Sequence, residues 1–416
     1  AGRRVSPPGR AEGWLGAPPG AAWPSDEEET GAGSNPFLRY RQLLWAHHRA
    51  GKAGIADGGF VDLVRRLDEA VAEVDGHGFL TTPLLPLDHL AETIGQTGGV
   101  WAKDETGNVS GSHKARHLFG LAIHLEVDGF PVDTPLAIAS CGNAALAAAT
   151  VARAAGRPLA VHVPTWADQW ILGRLEDLGA EVRVCERREG EAGDPCMVRF
   201  REAVADGALA FGCQGTENPW TIDGGRTLGF ELADQLAARG IAADRLLVQV
   251  GGGALAASTT QALTDAVELG ALGHRPALNA VQAEGCAPLA RAFNLVVNTG
   301  DPAKALTRMG DDDEAFMWPW ENPSSAATGI LDDVTYDWRP VVWDMACGPT
   351  PGGPVVAAEE HVAAAHQLVR DHTDVPADAT GAAGLAGLLS ARRDGCVDSG
   401  DRVVVLLTGG ERPIDS

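Results

Sequence analysis

Lysine is scarce in this chain: its basic residues are almost all arginine, and the lysines are Lys52, Lys103, Lys114 and Lys304. A lysine inside a Gly/Ser-rich segment is therefore a less routine surface choice here than elsewhere. The seven cysteines (Cys141, Cys185, Cys196, Cys213, Cys286, Cys347 and Cys396) are scattered without a C-x-x-C pair. That spacing argues against structural zinc and against a disulfide framework, so no metal is expected. No apolar run reaches membrane-spanning length, and the N-terminal residues lack the apolar stretch of a secretory signal. Positive charge is also short, at a formal net charge of -23. This disfavours nucleic acid and anionic membranes as partners, although solubility alone accounts for the acidity equally well. A cytoplasmic enzyme is the expectation.

What is present suits an α/β protein. The 416 residues are too many for one ordinary core, and 45% are apolar, so two lobes are expected. Residues 1–35, rich in Gly, Pro, Ala and acids, read as an irregular arm with little core of its own. Helices are expected over Leu43–Ala50 and Phe60–Val74. Beyond Val100 short apolar runs alternate with alanine-rich helical periods, and no internal repeat is found. Strands are expected at Leu136–Ala139, Leu159–Val163, Glu181–Val184, Leu246–Val250, Leu278–Gln282 and Val403–Leu407. Helices are expected at His113–Val127, Asn143–Ala155, Ala167–Leu178, Thr227–Ala238, Ala254–Glu268, Glu359–His372 and Gly381–Arg392. This alternation predicts βαβ units and parallel-rich twisted sheets flanked by helices. Ligands in such sheets bind where strands end and helices begin.

Four segments carry candidate chemistry. Lys103-Asp104-Glu105 and Ser110-Gly111-Ser112-His113-Lys114 lead into a helix with Lys114 in its first turn. The partly positive helix end disfavours a charged ammonium and suits an amine that attaches to a carbonyl; a surface lysine after a flexible loop reads equally well. Ser140-Cys141-Gly142-Asn143-Ala144 lies between a strand and a helix, where backbone amides suit a carboxylate; a simple N-cap by Ser140 or Asn143 fits the same letters. Gly251-Gly252-Gly253-Ala254-Leu255 permits close backbone approach to a phosphate. It also fits G-x-G-x-x-A with Glu284 near the end of the next strand, the pattern of a dinucleotide-binding oxidoreductase. Against that, at least three βα units precede it. Thr408-Gly409-Gly410 ends an apolar strand, and a plain terminal turn is the simple alternative.

Taken in order, the four segments resemble the fold type II enzymes of pyridoxal 5'-phosphate (PLP), the tryptophan synthase β-like superfamily. The resemblance covers roughly Val100 to Gly410. Within that superfamily threonine synthase and serine/threonine dehydratase are most alike. Arg39-Tyr40, Thr82-Pro83-Leu84 and Asp223-Gly224-Gly225-Arg226-Thr227 echo the former, and Gly381-Ala382-Ala383-Gly384-Leu385 the latter. His113 departs from the usual dehydratase Phe and is similar to tryptophan synthase β chains. No appended regulatory domain is expected, since the chain stops just past Gly410.

The resemblance implies a large PLP-binding lobe (36–111 and 214–416), a smaller mobile lobe (112–213) and a homodimer. It implies that Lys114 holds PLP as a Schiff base and is the catalytic base and acid at the substrate α-carbon. Asn143 would contact the cofactor's 3'-oxygen, and Gly251 to Leu255 its phosphate, with Ser112 or His113 assisting. Glu284 matches the acidic position after the next strand. The Ser140–Ala144 loop would bind the carboxylate of an amino-acid substrate. A neutral Thr408 hydroxyl opposite the pyridine nitrogen makes a weaker electron sink than a carboxylate would, favouring expulsion of a β-substituent. The expected activity is β-elimination from a hydroxy-amino acid. The alternatives are a β-replacement or threonine synthase-like reaction, a nucleotide-binding oxidoreductase, and a non-catalytic protein of the same fold.

Overall fold

The computed structural model describes residues 13–25, 35–191, 193–308 and 313–412. It divides into two compact units. The first comprises Thr82–Gly107 and Leu228–Arg412 with the described part of Ala1–Gly16; the second is built from Ala17–Thr81 and Asn108–Thr227.

The first unit is organised on six strands: β1 (Leu84–Pro86), β2 (Val100–Asp104), β7 (Arg245–Gln249), β8 (Ala277–Ala283), β9 (Gly353–Ala357) and β10 (Val403–Leu407). Their order is β1-β2-β10-β7-β8-β9, and every pairing is parallel except β1 with β2. Helices on a parallel sheet cover both faces, so its strands read as unbroken apolar runs rather than alternating ones. Val403-Val404-Val405-Leu406-Leu407 is buried at every position for that reason. The Ala383–Arg393 helix packs on β7, β8, β9 and β10 and carries a small-residue face against them.

The second unit holds β3 (Leu136–Ala139), β4 (Leu159–Pro164), β5 (Glu181–Cys185) and β6 (Leu209–Ala210), ordered β5-β4-β3-β6 and all parallel. Two helices without a polar face, Lys114–Val127 and Asn143–Ala154, pack on each other and are buried over most of their length. The start of the Thr221–Ala238 helix lies against the first of these. A β-carbon on Gly120 would come 2.5 Å from the Gly224 α-carbon, so this crossing requires glycine.

Every strand expected from the sequence is present, Leu136–Ala139 and Val403–Leu407 to the residue. Two boundaries need correcting. Residues 36–81 and 214–227 fall in the second unit, not in a large lobe. The reason is packing: the Asp57–Asp75 and Trp45–Lys52 helices rest on the buried helices of that unit, and Gly224 on Gly120. Nor is the N-terminal arm wholly without core. Trp14 and Leu15 are buried, and the Leu15 amide donates to Gln261 Oε1 at 2.5 Å. The remainder of the arm, 1–12 and 26–34, lies outside the described residues.

Candidate active site

In the second unit the loop before Lys114 is tightly prescribed. Ser110 has φ +57° and Gly111 +70°, after which Ser112 returns to extended backbone. A left-handed Ser is costly enough to need anchoring, and such strain concentrates at functional loops. The anchor is Asp75, whose carboxylate accepts from the Ser110 amide at 3.1 and 3.2 Å. Asn108 Oδ1 accepts from the Val109 amide at 2.8 Å. The loop delivers Lys114 as the first residue of its helix, half-buried, with His113 at the N-cap and no side-chain cap. Ser112 is fully buried, and its hydroxyl has no hydrogen-bond partner among the described residues.

Ser140, Cys141, Gly142, Asn143 and Ala144 form the turn from β3 into its helix, all half-buried. Gly142 is the N-cap, and no side chain caps that end. The simple capping role for Ser140 or Asn143 is thereby set aside. Helix-start amides without a side-chain cap are suited to an anion.

The same unit holds a buried polar network. Asp223 accepts from the amides of Trp45 and Ala46 and from His124 Nε2, each at 3.0 Å, and from Arg226 Nη1 at 3.3 Å. Burial pushes the Asp223 carboxyl up, but His124, Arg226 and the backbone donors hold it below the usual aspartate range. This assigns the Asp223-Gly224-Gly225-Arg226-Thr227 segment a packing role.

In the first unit the parallel register gathers the other candidates at one edge, because β2, β10, β7 and β8 all end there. Thr408 follows β10, Gly251 to Leu255 follow β7, and Glu284 follows β8. Gly253 takes φ +95° and opens the Ala254–Glu268 helix without a side-chain cap. The amides of Ala254, Leu255 and Ala256 precede the first intrahelical bond, from Ala257 to Gly253, so they fit an anion such as a phosphate.

The glycines have a second reason for being glycine. A β-carbon on Gly251 would meet the Asp332 carboxylate, one on Gly252 the Tyr336 ring at 3.3 Å, and one on Gly253 the Thr335 methyl at 3.0 Å. The Asp337 amide also donates to Gly252 O at 2.8 Å. The chain's own 330–337 segment therefore occupies the space that the absent side chains leave. The sequence carries no periodic signal for that contact.

Glu284 is exposed, and its Oε1 accepts from the Glu359 amide at 3.0 Å, at the start of the Glu359–His372 helix. Lys103 and Glu105, by contrast, are wholly buried. Lys103 Nζ donates to Glu231 Oε2 and Thr82 O, both at 2.6 Å, and to Gln235 Oε1 at 3.1 Å. Thr82 Oγ1 donates to Glu105 Oε1 at 2.5 Å. The Lys103-x-Glu105 pair and Thr82 thus form one structural network. Sequence reasoning passes over Gln249, whose Nε2 donates to the buried Thr408 Oγ1 at 2.7 Å. The one available signal was a lone amide in an otherwise apolar strand run.

No group of three or more His, Cys, Asp or Glu side chains is placed to hold a metal among the described residues, and none of their helices is long and apolar enough to cross a membrane.

Comparison with known proteins agrees with the PLP reading. The chain is 27% identical over 332 residues to the threonine synthase of Methanosarcina acetivorans, covering 79% of this chain and 74% of that one. Its fold superposes on the processed form of threonine deaminase isoform 2 from Solanum lycopersicum with a TM-score of 0.61 at 18% identity, covering 85% of each chain. It superposes comparably, at 0.62 and 17% identity, on the diaminopropionate ammonia lyase of Escherichia coli, solved in complex with an aminoacrylate-PLP azomethine intermediate, covering 85% and 88%. The profile of one family, described as pyridoxal-phosphate dependent enzyme, matches residues 77–409. With that match the dinucleotide reading of Gly251–Gly253 is abandoned. Within the first unit the uncapped helix start after Gly253 fits the phosphate of PLP; within the second, the half-buried amine of Lys114 fits its aldehyde and the uncapped helix start after Gly142 fits a carboxylate. The chain belongs to the pyridoxal-phosphate dependent enzyme family.

Proposed function

We propose that the chain is a lyase that removes a β-substituent from an amino acid of the serine and threonine class, leaving a 2-oxo acid and ammonia. The observation that carries this reading is the buried, neutral Thr408 hydroxyl just after β10, where a carboxylate would make a stronger electron sink. Bound PLP supplies the sink that makes the substrate Cα–H bond labile. Lys114 Nζ holds the cofactor covalently and then moves the proton at the substrate α-carbon. Ser140, Cys141, Gly142, Asn143 and Ala144 bind the substrate carboxylate with the open helix start, and Asn143 also contacts the cofactor's 3'-oxygen. The amides from Gly251 to Leu255 hold the phosphate, assisted by Ser112 or His113. Thr408 faces the pyridine nitrogen. Glu284, given its bond to the Glu359 amide, holds the start of the Glu359–His372 helix rather than touching the cofactor.

A second reading, threonine synthase-like replacement, is favoured by the threonine synthases among the sequence relatives. Product analysis separates the two. Purified protein with PLP, offered serine, threonine or diaminopropionate, is expected to release 2-oxo acid and ammonia, and Lys114→Ala to abolish both the release and the imine absorbance. Threonine release from a phosphorylated homoserine, without 2-oxo acid from any of the three, would establish the second reading instead. A cytoplasmic homodimer is part of the same proposal; its support is family resemblance, and light scattering of the purified protein tests the dimer.

A further inference from the structure

Gln249 closes β7 and is almost completely buried. Its Nε2 lies within hydrogen-bond distance of three backbone carbonyls: Thr380 O at 3.2 Å, Gly381 O at 2.8 Å and Leu406 O at 3.2 Å. The fourth neighbour is Thr408 Oγ1 at 2.7 Å. Oε1, at the other end of the amide, is buried with no hydrogen-bond partner among the described residues.

The carbonyls dictate this orientation. Turning the amide over would set Oε1 against three oxygens and strand all of them, so the nitrogen must face the cluster. The amide nitrogen has two hydrogens to give and accepts none. The two shortest contacts, Gly381 O and Thr408 Oγ1, take them. At Thr408 the hydroxyl oxygen is therefore the acceptor, and its single proton points away from Gln249.

We infer that Gln249 is a positioning residue that fixes Thr408 as a hydrogen-bond donor towards the PLP ring nitrogen. The inference rests on the proposed contact between Thr408 and that nitrogen. A donor there stabilises the unprotonated ring, whereas a hydroxyl turned to present its lone pair would suit a protonated one. Gln249 thus sets the strength of the sink, and with it the preference for elimination over transamination, without touching the cofactor.

The test uses the holoenzyme loaded with PLP carrying 15N at the ring position, read by 15N NMR alongside cofactor titration. Thr408→Val is expected to move the ring signal downfield and to weaken PLP binding about 3- to 10-fold, the loss of one hydrogen bond. Gln249→Met is expected to move the signal the same way, and to add nothing in the Thr408→Val background. Gln249→Glu keeps the side-chain size and covers the case in which the methionine variant does not fold. Its single proton is taken by the carbonyls, so it accepts from Thr408 and draws the hydroxyl away from the ring. A merely structural Gln249 would lower the melting temperature and leave the ring signal in place. If Thr408→Val moves the signal and neither Gln249 variant does, the inference fails while the proposed function stands. If Thr408→Val leaves it unmoved, the Thr408 contact itself is wrong and both fall.

Discussion

Removing the buried lysine at position 103 should separate structure from chemistry in the Lys103-x-Glu105 pair. Lys103→Met deletes a cation that is wholly buried against Glu231 at 2.6 Å and leaves that carboxylate with the Thr82 amide at 3.0 Å, the single Thr82 hydroxyl proton being given to Glu105 at 2.5 Å. Breaking a buried pair from one side costs about 3–5 kcal/mol, because the remaining charge has lost its counter-ion. The Thr82 amide persists as a donor, so the lower end, about 3 kcal/mol, is expected. Removing both charges in Lys103→Met/Glu231→Leu abolishes that penalty; the loss of the Thr82 amide's bond to Glu231 costs about 1–3 kcal/mol. The double variant should therefore be no less stable than Lys103→Met alone. Urea unfolding followed by tryptophan fluorescence measures this, with PLP titration of the folded protein expected to stay within about twofold of the parent. A single-variant cost below about 1 kcal/mol, or additive costs in the double variant, would refute the buried-pair account.

Two further outcomes follow from the site geometry. Gly251→Ala places a methyl against the Asp332 carboxylate, so it should lower the melting temperature of the apoprotein, by about 1–3 kcal/mol of stability, before any cofactor is added; an effect seen only in PLP titrations would show that the 330–337 contact is unimportant. Asp223, held below its ordinary range, binds a proton less readily folded than unfolded, so its contribution is present at neutral pH and fades as pH falls below about 4. Asp223→Asn should therefore cost about 2 kcal/mol near neutrality, with the gap to the parent narrowing in acid melts.

Much of the fold was legible because burial on both sides of a parallel sheet writes itself into continuous apolar runs. Val403–Leu407 could be read to the residue for that reason, and the Ala254–Glu268 helix from its alanine-rich period. The shortest elements could not: β1 has three residues and β6 two, too few to leave a period. The unit boundary was misread because the Asp57–Asp75 helix and Gly224 are assigned by tertiary contact, which a linear reading does not contain. Lys114 stood out because a rare lysine follows a Gly/Ser-rich loop, and Asn143 and Thr408 because each breaks an apolar stretch next to glycine. Gln249 interrupts one too, but its meaning lies in the three carbonyls around it, and these come from distant segments. The double role of Gly251 to Gly253 was hidden in the same way, since Asp332 and Tyr336 carry no mark of where they dock.

The position of β10 has a consequence for how the protein comes into being. It lies between β2 and β7, pairing Val403 with Val100 on one side and with Arg245 on the other. During synthesis β2 and β7 emerge long before the strand that joins them, and each waits with an unsatisfied apolar edge. The nascent first unit is thus exposed to aggregation until its closing strand leaves the ribosome, and chaperone demand should fall sharply at that point. The strand that leads into Thr408 also completes the sheet, so a chain stalled before Val403 would lack both its fold and its chemistry.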